Sequence, residues 1–385
     1  MNMNRREFIE NAFAVGAGCT LGMGLGVLGA VPALASNDYD AVSRATPGKY
    51  KEASYYRKLS NGKVQCLLCP VQESISNGRY SICRVRFASK GKMYVTNYGH
   101  PSAMHLDPVE KNPLYHFHPS MKTLALGTAG CNLACPACQN WEMSQRAVRQ
   151  IKSYNLTPRQ AVRYAKKNGC GALSYTFTEP AVFFEYCLDM AKEGRRNGIK
   201  SCVVTGGYIN PEPLKEMTRY CDAFCVSLKG VNDEMYGGSP RPRIYETVKN
   251  TLKIIKGQGK WLEVAILVVP TKSDDEKQLY TMTKWVKDNL GVFTPVHFSR
   301  FYPSFKLKNI PQTPVSLLER AQKVARKLGI KYAYIGNVPG HVGSNTYCHN
   351  CKKMLVQRVG FRVLKNNIRG GKCMYCGTRI PGHWG

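Results

Sequence analysis

From Thr123 onward, short β-branched runs alternate with helix-patterned stretches, and this alternation limits the architectures open to the chain more than any other feature. Strand-like segments fall at 123–127, 172–177, 200–205, 222–228, 261–269 and 295–301. Helical patterns lie between them, for example Pro158 to Lys167, Ala181 to Arg195 and Tyr245 to Ile255. Strand–helix repetition at this spacing predicts an α/β fold with a parallel sheet and crossover helices. Ligands of such sheets gather at the C-terminal ends of the strands. Six units are too few to close an eight-stranded barrel.

The first strand-like segment runs directly into Gly127-Thr-Ala-Gly-Cys131-Asn-Leu-Ala-Cys135-Pro-Ala-Cys138. Three thiolates in a C-x3-C-x2-C loop can hold three corners of a cubane iron–sulfur cluster and leave the fourth iron without a protein ligand. A zinc site with a remote fourth ligand, or three buried thiols, fits the spacing alone equally well. Gly127 and Gly130 let the backbone turn tightly enough for the sulfurs to converge.

Two further cysteine groups flank this loop. Cys66-Leu-Leu-Cys69 and Cys83 would need a distant fourth ligand for a metal, such as His100 or His105; ordinary thiols in a hairpin are the alternative. Cys348-His-Asn-Cys351 and Cys373-Met-Tyr-Cys376 are two C-x2-C knuckles around a β-rich segment, Leu355 to Leu364. Four thiolates close a coordination sphere, so this site reads as structural zinc in a zinc-ribbon-like module, with rubredoxin-like iron on the same ligands as the alternative. About forty residues make little core without a metal. Together the three groups take 10 of the 16 cysteines, which argues against a disulfide scaffold. Cys170, Cys187, Cys202, Cys221 and Cys225 sit within strand or helix patterns and read as small core residues.

The ends of the other strand-like segments carry the remaining candidates. Thr178-Glu179-Pro180 can accept hydrogen bonds from an ammonium group, or be a plain helix cap. Gly206-Gly207 lets backbone approach a ligand. Ser227-Leu228-Lys229 offers an acceptor and a cation, and His297-Phe-Ser-Arg300 an imidazole and a guanidinium. Glu263, within an apolar strand, requires a buried partner.

The leader reads separately. Asn4-Arg5-Arg6-Glu7-Phe8-Ile9, an apolar stretch from Ala12 to Val31, and Ala33-Leu34-Ala35 make a twin-arginine (Tat) export signal, or an uncut membrane anchor. The chain therefore divides into a leader (1–35), a polar linker (36–62), an N-terminal cysteine module (63–120), the barrel (121–340) and a four-cysteine ribbon (341–385). The leader predicts a periplasmic or membrane-anchored protein that meets the Tat translocase, with action in the cytoplasm before export as the alternative. Its charges cancel, so the formal net charge of +30, from 55 Lys and Arg against 25 Asp and Glu, belongs to the body. Without a nucleic-acid motif or a basic run of five, that excess predicts a diffusely basic surface and no specific nucleic-acid partner.

The cysteine loop and its continuation through Cys138-Gln-Asn-Trp-Glu-Met-Ser-Gln145 resemble radical S-adenosylmethionine (SAM) enzymes of the AmmeMemoRadiSam type, related to pyruvate formate-lyase activating enzymes. The resemblance runs from about Val64 to the C-terminus. It implies an open (β/α)6 partial TIM barrel, with a [4Fe–4S] cluster on Cys131, Cys135 and Cys138 binding SAM at its open iron. Reduction by a low-potential electron donor would cleave SAM to a 5′-deoxyadenosyl radical, which takes hydrogen from a protein or small-molecule substrate; glycyl-radical activation is the named activity implied. Thr178, Glu179, Gly206, Gly207, Ser227 and Lys229 would hold SAM, and Lys229, His297 and Arg300 would act in catalysis. Three departures weigh on this: Ser227 replaces a usual Asp, Ala137 replaces a usual aromatic that Trp141 or Tyr175 would have to supply, and Val71 and Glu73 replace a usual His and Cys. An exported iron–sulfur or zinc protein for electron transfer or binding, no longer turning over SAM, is the rival reading.

Overall fold

The computed structural model describes residues 50–385; the Tat-type leader and the linker up to residue 49 lie outside the described residues. The chain opens with β1 (Lys51–Glu52), β2 (Tyr56–Lys58), β3 (Val64–Cys66), β4 (Ser74–Ile75), β5 (Arg86–Ser89) and β6 (Lys92–Val95). These form two three-stranded antiparallel sheets in the orders β1-β6-β5 and β2-β3-β4. The expected linker therefore ends earlier than residue 62, because β1 and β2 are already paired into the cysteine module.

The main sheet follows: β7 (Pro101–Pro108), β8 (Lys122–Thr128), β9 (Ala172–Tyr175), β10 (Lys200–Thr205), β11 (Ala223–Ser227), β12 (Trp261–Val268), β13 (Val296–Arg300) and β14 (Ala333–Gly336). Its order is sequential from β14 back to β7, parallel throughout except for β7, which runs antiparallel to β8. The six strands expected are β8 to β13. A seventh parallel strand, β14, and antiparallel β7 extend the sheet at its two edges, and among the described residues the sheet stays open.

Six helices make the crossovers: Pro158–Lys167, Phe184–Arg196, Pro211–Tyr220, Ile244–Gly257, Glu276–Leu290 and Val315–Lys327. Their starts are chemically marked. Thr157 and Gln160 form a reciprocal capping box ahead of Pro158, and the Asp275 carboxylate accepts from the Lys277 amide at 3.0 Å. Apolar faces of these helices and of the strands make one continuous core, which includes Leu126, Leu173, Val203, Phe224, Val264 and Phe298.

The C-terminal segment adds β15 (Thr346–Tyr347), β16 (Met354–Val359), β17 (Arg362–Asn366), β18 (Ile368–Arg369) and β19 (Lys372–Cys373). It covers the base of the barrel, at the N-terminal ends of the parallel strands, where Tyr115, Tyr332 and Tyr334 pack with Leu355, Val356 and Ile368. Arg358, buried, donates to the Tyr115 carbonyl at 2.8 Å and to Thr346 Oγ1 at 2.9 Å. His116 joins the same layer through Tyr334 (2.5 Å) and the Pro381 carbonyl (2.7 Å).

Candidate active site

The loop that carries Cys131, Cys135 and Cys138 leaves the C-terminal end of β8 and is gripped from four sides. Gly130 sits at φ +85°, and a Cβ there would lie 2.5 Å from the Cys83 carbonyl, so the N-terminal module backs the loop. From the segment after β11, the Tyr236 carbonyl accepts the Ala134 amide at 3.2 Å, and a Cβ on Gly237 would lie 2.7 Å from the Ala134 backbone. Arg241 donates to the Asn132 carbonyl at 2.6 Å, while Asn132 donates to the Tyr208 carbonyl at 2.7 Å. After β13, Ser304 donates to the Cys138 carbonyl at 3.0 Å and the Lys306 amide to the Pro136 carbonyl at 3.1 Å. A loop held by so many non-local contacts is preorganised to bind.

Burial pushes the Cys131 thiol well above its ordinary pKa, with the Glu179 carboxylate adding to the shift. Burial also raises Cys135, and the nearby Lys229 ammonium opposes it. Three soft thiols on one loop are a donor set that suits an iron–sulfur cluster.

Glu179 links this loop to the next strand end. Its carboxylate accepts from the Thr205 hydroxyl, from the Gly206 amide at 2.7 Å and from the Ala181 amide at 3.3 Å. Burial raises its pKa, against the pull of those donors. Gly206 has no room for a side chain: a Cβ would lie 2.5 Å from Leu133 Cδ1 and 3.1 Å from Glu179 Oε2. Thr178 donates to the Thr128 carbonyl at 2.9 Å, and Gly207 turns at φ +77°. Ser227 ends β11, and the Lys229 amide donates to the Tyr236 hydroxyl at 2.8 Å. Arg300 ends β13, its Nε on the Thr313 carbonyl at 2.7 Å. All of these stand at C-terminal strand ends, as expected. Trp141 stacks on Phe305 at 5.3 Å, whereas Tyr175 is fully buried with its hydroxyl on Ser201.

His297 does not belong to this site. It lies in the N-terminal half of β13 and bonds Glu263 at 2.6 Å, in the buried layer with Tyr115 and Tyr334. Glu263 also accepts from the His116 amide (2.8 Å) and Trp261 Nε1 (2.9 Å). Burial alone would raise the Glu263 pKa; the His297 hydrogen bond and the two imidazoles outweigh it and hold the group ionised. His297 is a partner that makes a buried carboxylate tolerable, not a group at the mouth.

The flanking cysteine groups part ways. Cys348 and Cys376 sulfurs lie 3.7 Å apart, as do those of Cys351 and Cys373, and all four fall within 4.8 Å. That is the spacing of one tetrahedral ion. Cys66, Cys69 and Cys83 line a small cavity with Glu73 and Asn132, but among the described residues neither His100 nor His105 completes a ligand set with them. His105 instead packs edge-on against Phe177. Tyr236, Arg241 and Ser304 were not anticipated; the Gly237-Gly238 pair was the available sign that the backbone there meets something closely.

The Radical SAM superfamily matches residues 126–282, the span from β8 into the fifth crossover helix. An uncharacterized protein of Methanocaldococcus jannaschii is 39% identical over 332 residues, covering 86% of this chain and 98% of its own. Among solved structures, a domain of a pyruvate-formate lyase-activating enzyme from Bacteroides vulgatus covers 43% of this chain and 99% of its own at 16% identity, with a TM-score of 0.38. A radical SAM methyltransferase from Sphaerobacter thermophilus covers 62% of this chain and 71% of its own at 15% identity, with a TM-score of 0.45. The chain belongs to the radical SAM superfamily, and that membership brings with it a [4Fe–4S] cluster and SAM.

Proposed function

We propose that Cys131, Cys135 and Cys138 hold the [4Fe–4S] cluster and that the strand ends around it bind SAM for hydrogen abstraction from a substrate. The observation that carries this reading is the donor set itself: three thiols on one clamped loop beside the Gly206 cradle. When bound, the cluster supplies the electron, received from a low-potential donor, that cleaves SAM homolytically to the hydrogen-abstracting 5′-deoxyadenosyl radical. The chain's own residues do the rest. Glu179 fixes the Thr205-Gly206 turn so that backbone can lie against SAM, with Thr178, Gly207 and Ser227 completing the wall. Lys229 offers a cation to the SAM carboxylate or to the substrate, and Arg300 a second at the end of β13, two strands along. Activation of a glycyl-radical enzyme is the reaction this arrangement would serve by resemblance. At the opposite end, Cys348, Cys351, Cys373 and Cys376 hold a structural zinc, supported by their 3.7 Å pairs. The leader directs the folded protein to the Tat translocase and the outer face of the membrane.

The test is EPR of anaerobically reconstituted, reduced protein with and without SAM. A cluster signal that shifts with SAM and is absent in Cys135→Ala is the expected result. A signal indifferent to SAM would refute the proposal in favour of electron transfer.

A further inference from the structure

We propose that the C-terminal ribbon is a membrane-surface module that sets the end of its β16–β17 hairpin into the headgroup layer of an anionic bilayer. Residues 341–385 contain eight Lys and Arg and no Asp or Glu. The same segment holds six of the nine large apolar side chains most exposed among the described residues: Val342, Val359, Phe361, Leu364, Met374 and Tyr375. Three of these stand together at the hairpin end, Val359 at 47%, Phe361 at 38% and Leu364 at 51% exposure.

Strand register explains why they face outward. Arg358 pairs with Val363, and Val359 with Arg362. Arg358 and the partly buried Val363 turn toward the ribbon core, so period-two alternation sends Val359 and Arg362 to the other face. A register shift beside Gln357 and Arg358 leaves Leu364 as the extra residue. The exposed end thus interleaves aliphatic and aromatic side chains with Arg362 and Lys365, and no carboxylate of the segment opposes them.

Those side chains select the partner. Cations bind any polyanion and Phe361 can stack on a base, but Val359 and Leu364, the more exposed of the three, gain nothing from a phosphate backbone and have no π-face. They do gain from the acyl boundary, where a basic, partly apolar element lies against anionic lipid. On the uncut-anchor reading of the leader, the apolar run Ala12 to Val31 would add a tether. A tethered surface works at high effective concentration, so a small apolar patch suffices. This inference uses none of the cluster chemistry, and its test is independent of SAM.

The experiment is hydrogen exchange by mass spectrometry on the full chain. It is run free, on pure phosphatidylcholine vesicles, and on equimolar phosphatidylglycerol and phosphatidylcholine vesicles. Exchange across 359–364 is expected to slow by roughly threefold or more on the anionic vesicles alone. The slowing should vanish in Arg362→Glu/Lys365→Glu and persist in Lys323→Glu, a charge reversal on the exposed face of a barrel helix. A chain that fails to sediment with the anionic vesicles would overturn the proposal, as would unchanged exchange in a chain that does sediment. Equal slowing on pure phosphatidylcholine, or by a single-stranded oligonucleotide in place of vesicles, would overturn it too.

Discussion

Replacing Arg86 or Glu185 alone is expected to loosen the cysteine loop from behind. Arg86 Nη2 and Glu185 Oε1 are 2.5 Å apart, and each side chain is only 1% exposed. Glu185 Oε1 also accepts the Ser54 amide at 2.7 Å, and Arg86 Nη1 donates to the Ser54 carbonyl at 2.9 Å. Arg86 Nε and Glu185 Oε2 have no partner, so the pair is already under-satisfied. It joins the N-terminal module, through β5, to the helix Phe184–Arg196 of the barrel. Arg86→Met leaves a buried carboxylate alone, and Glu185→Gln a buried guanidinium. Either should cost about 3–5 kcal/mol, because a charge that has lost its partner keeps its full desolvation penalty. The double variant should recover most of that loss, since removing both charges removes the penalty. Urea unfolding of the anaerobic protein reads the cycle, with iron content per chain as the second readout, because the Cys83 carbonyl presses on Gly130. Single variants that lose less than about 1 kcal/mol, or a double variant that is additive, would refute the reasoning.

Gly206→Ala should keep its iron yet bind SAM about tenfold or more weakly, since overpacking against Leu133 and Glu179 costs about 1–3 kcal/mol; a SAM titration of the EPR signal measures it. His297→Ala should lose about 3 kcal/mol or more of folding stability by stranding Glu263, while SAM cleavage per folded molecule stays near the parent's. Lost cleavage at unchanged stability would return His297 to the mouth. Burial holds the His116 pKa down to about 4, against an ordinary value of 6.5. The unfolded chain therefore takes up a proton first, so stability is full above about 6.5 and falls by about 3 kcal/mol in total as pH drops toward 4. Urea midpoints across that window should fall less steeply in His116→Asn.

The central strands were legible because each is a β-branched run ending in a chemically marked turn. β14 escaped because only four residues, Ala333–Gly336, make the strand. β7 carries prolines at both ends and His105 and Asp107 inside, a pattern that imitates a loop. β1 and β2 are short and mostly exposed, and exist through pairing that no local pattern announces. The cysteine positions could be read outright, since metal-ligand spacing is local. Depth along a strand could not. His297 and Arg300 belong to one motif, yet three residues of strand separate them by about 10 Å, enough to carry the imidazole from the mouth into the base. The clamps on the loop were equally hidden, because Tyr236 and Ser304 reach it only after the barrel has formed.

The hydrogen bond from the Ala134 amide to Tyr236, and the approach of Gly237 onto the same residue, set a timetable for maturation. During synthesis the three thiols emerge about a hundred residues before the segment that clamps them, an interval of roughly 5–20 s at ordinary elongation rates. Through that interval the loop is a loose chelator, open to whichever thiophilic metal arrives first. Faithful loading therefore belongs to the completed chain, and a ribosome stalled between β8 and β11 would display a metal trap with no selectivity.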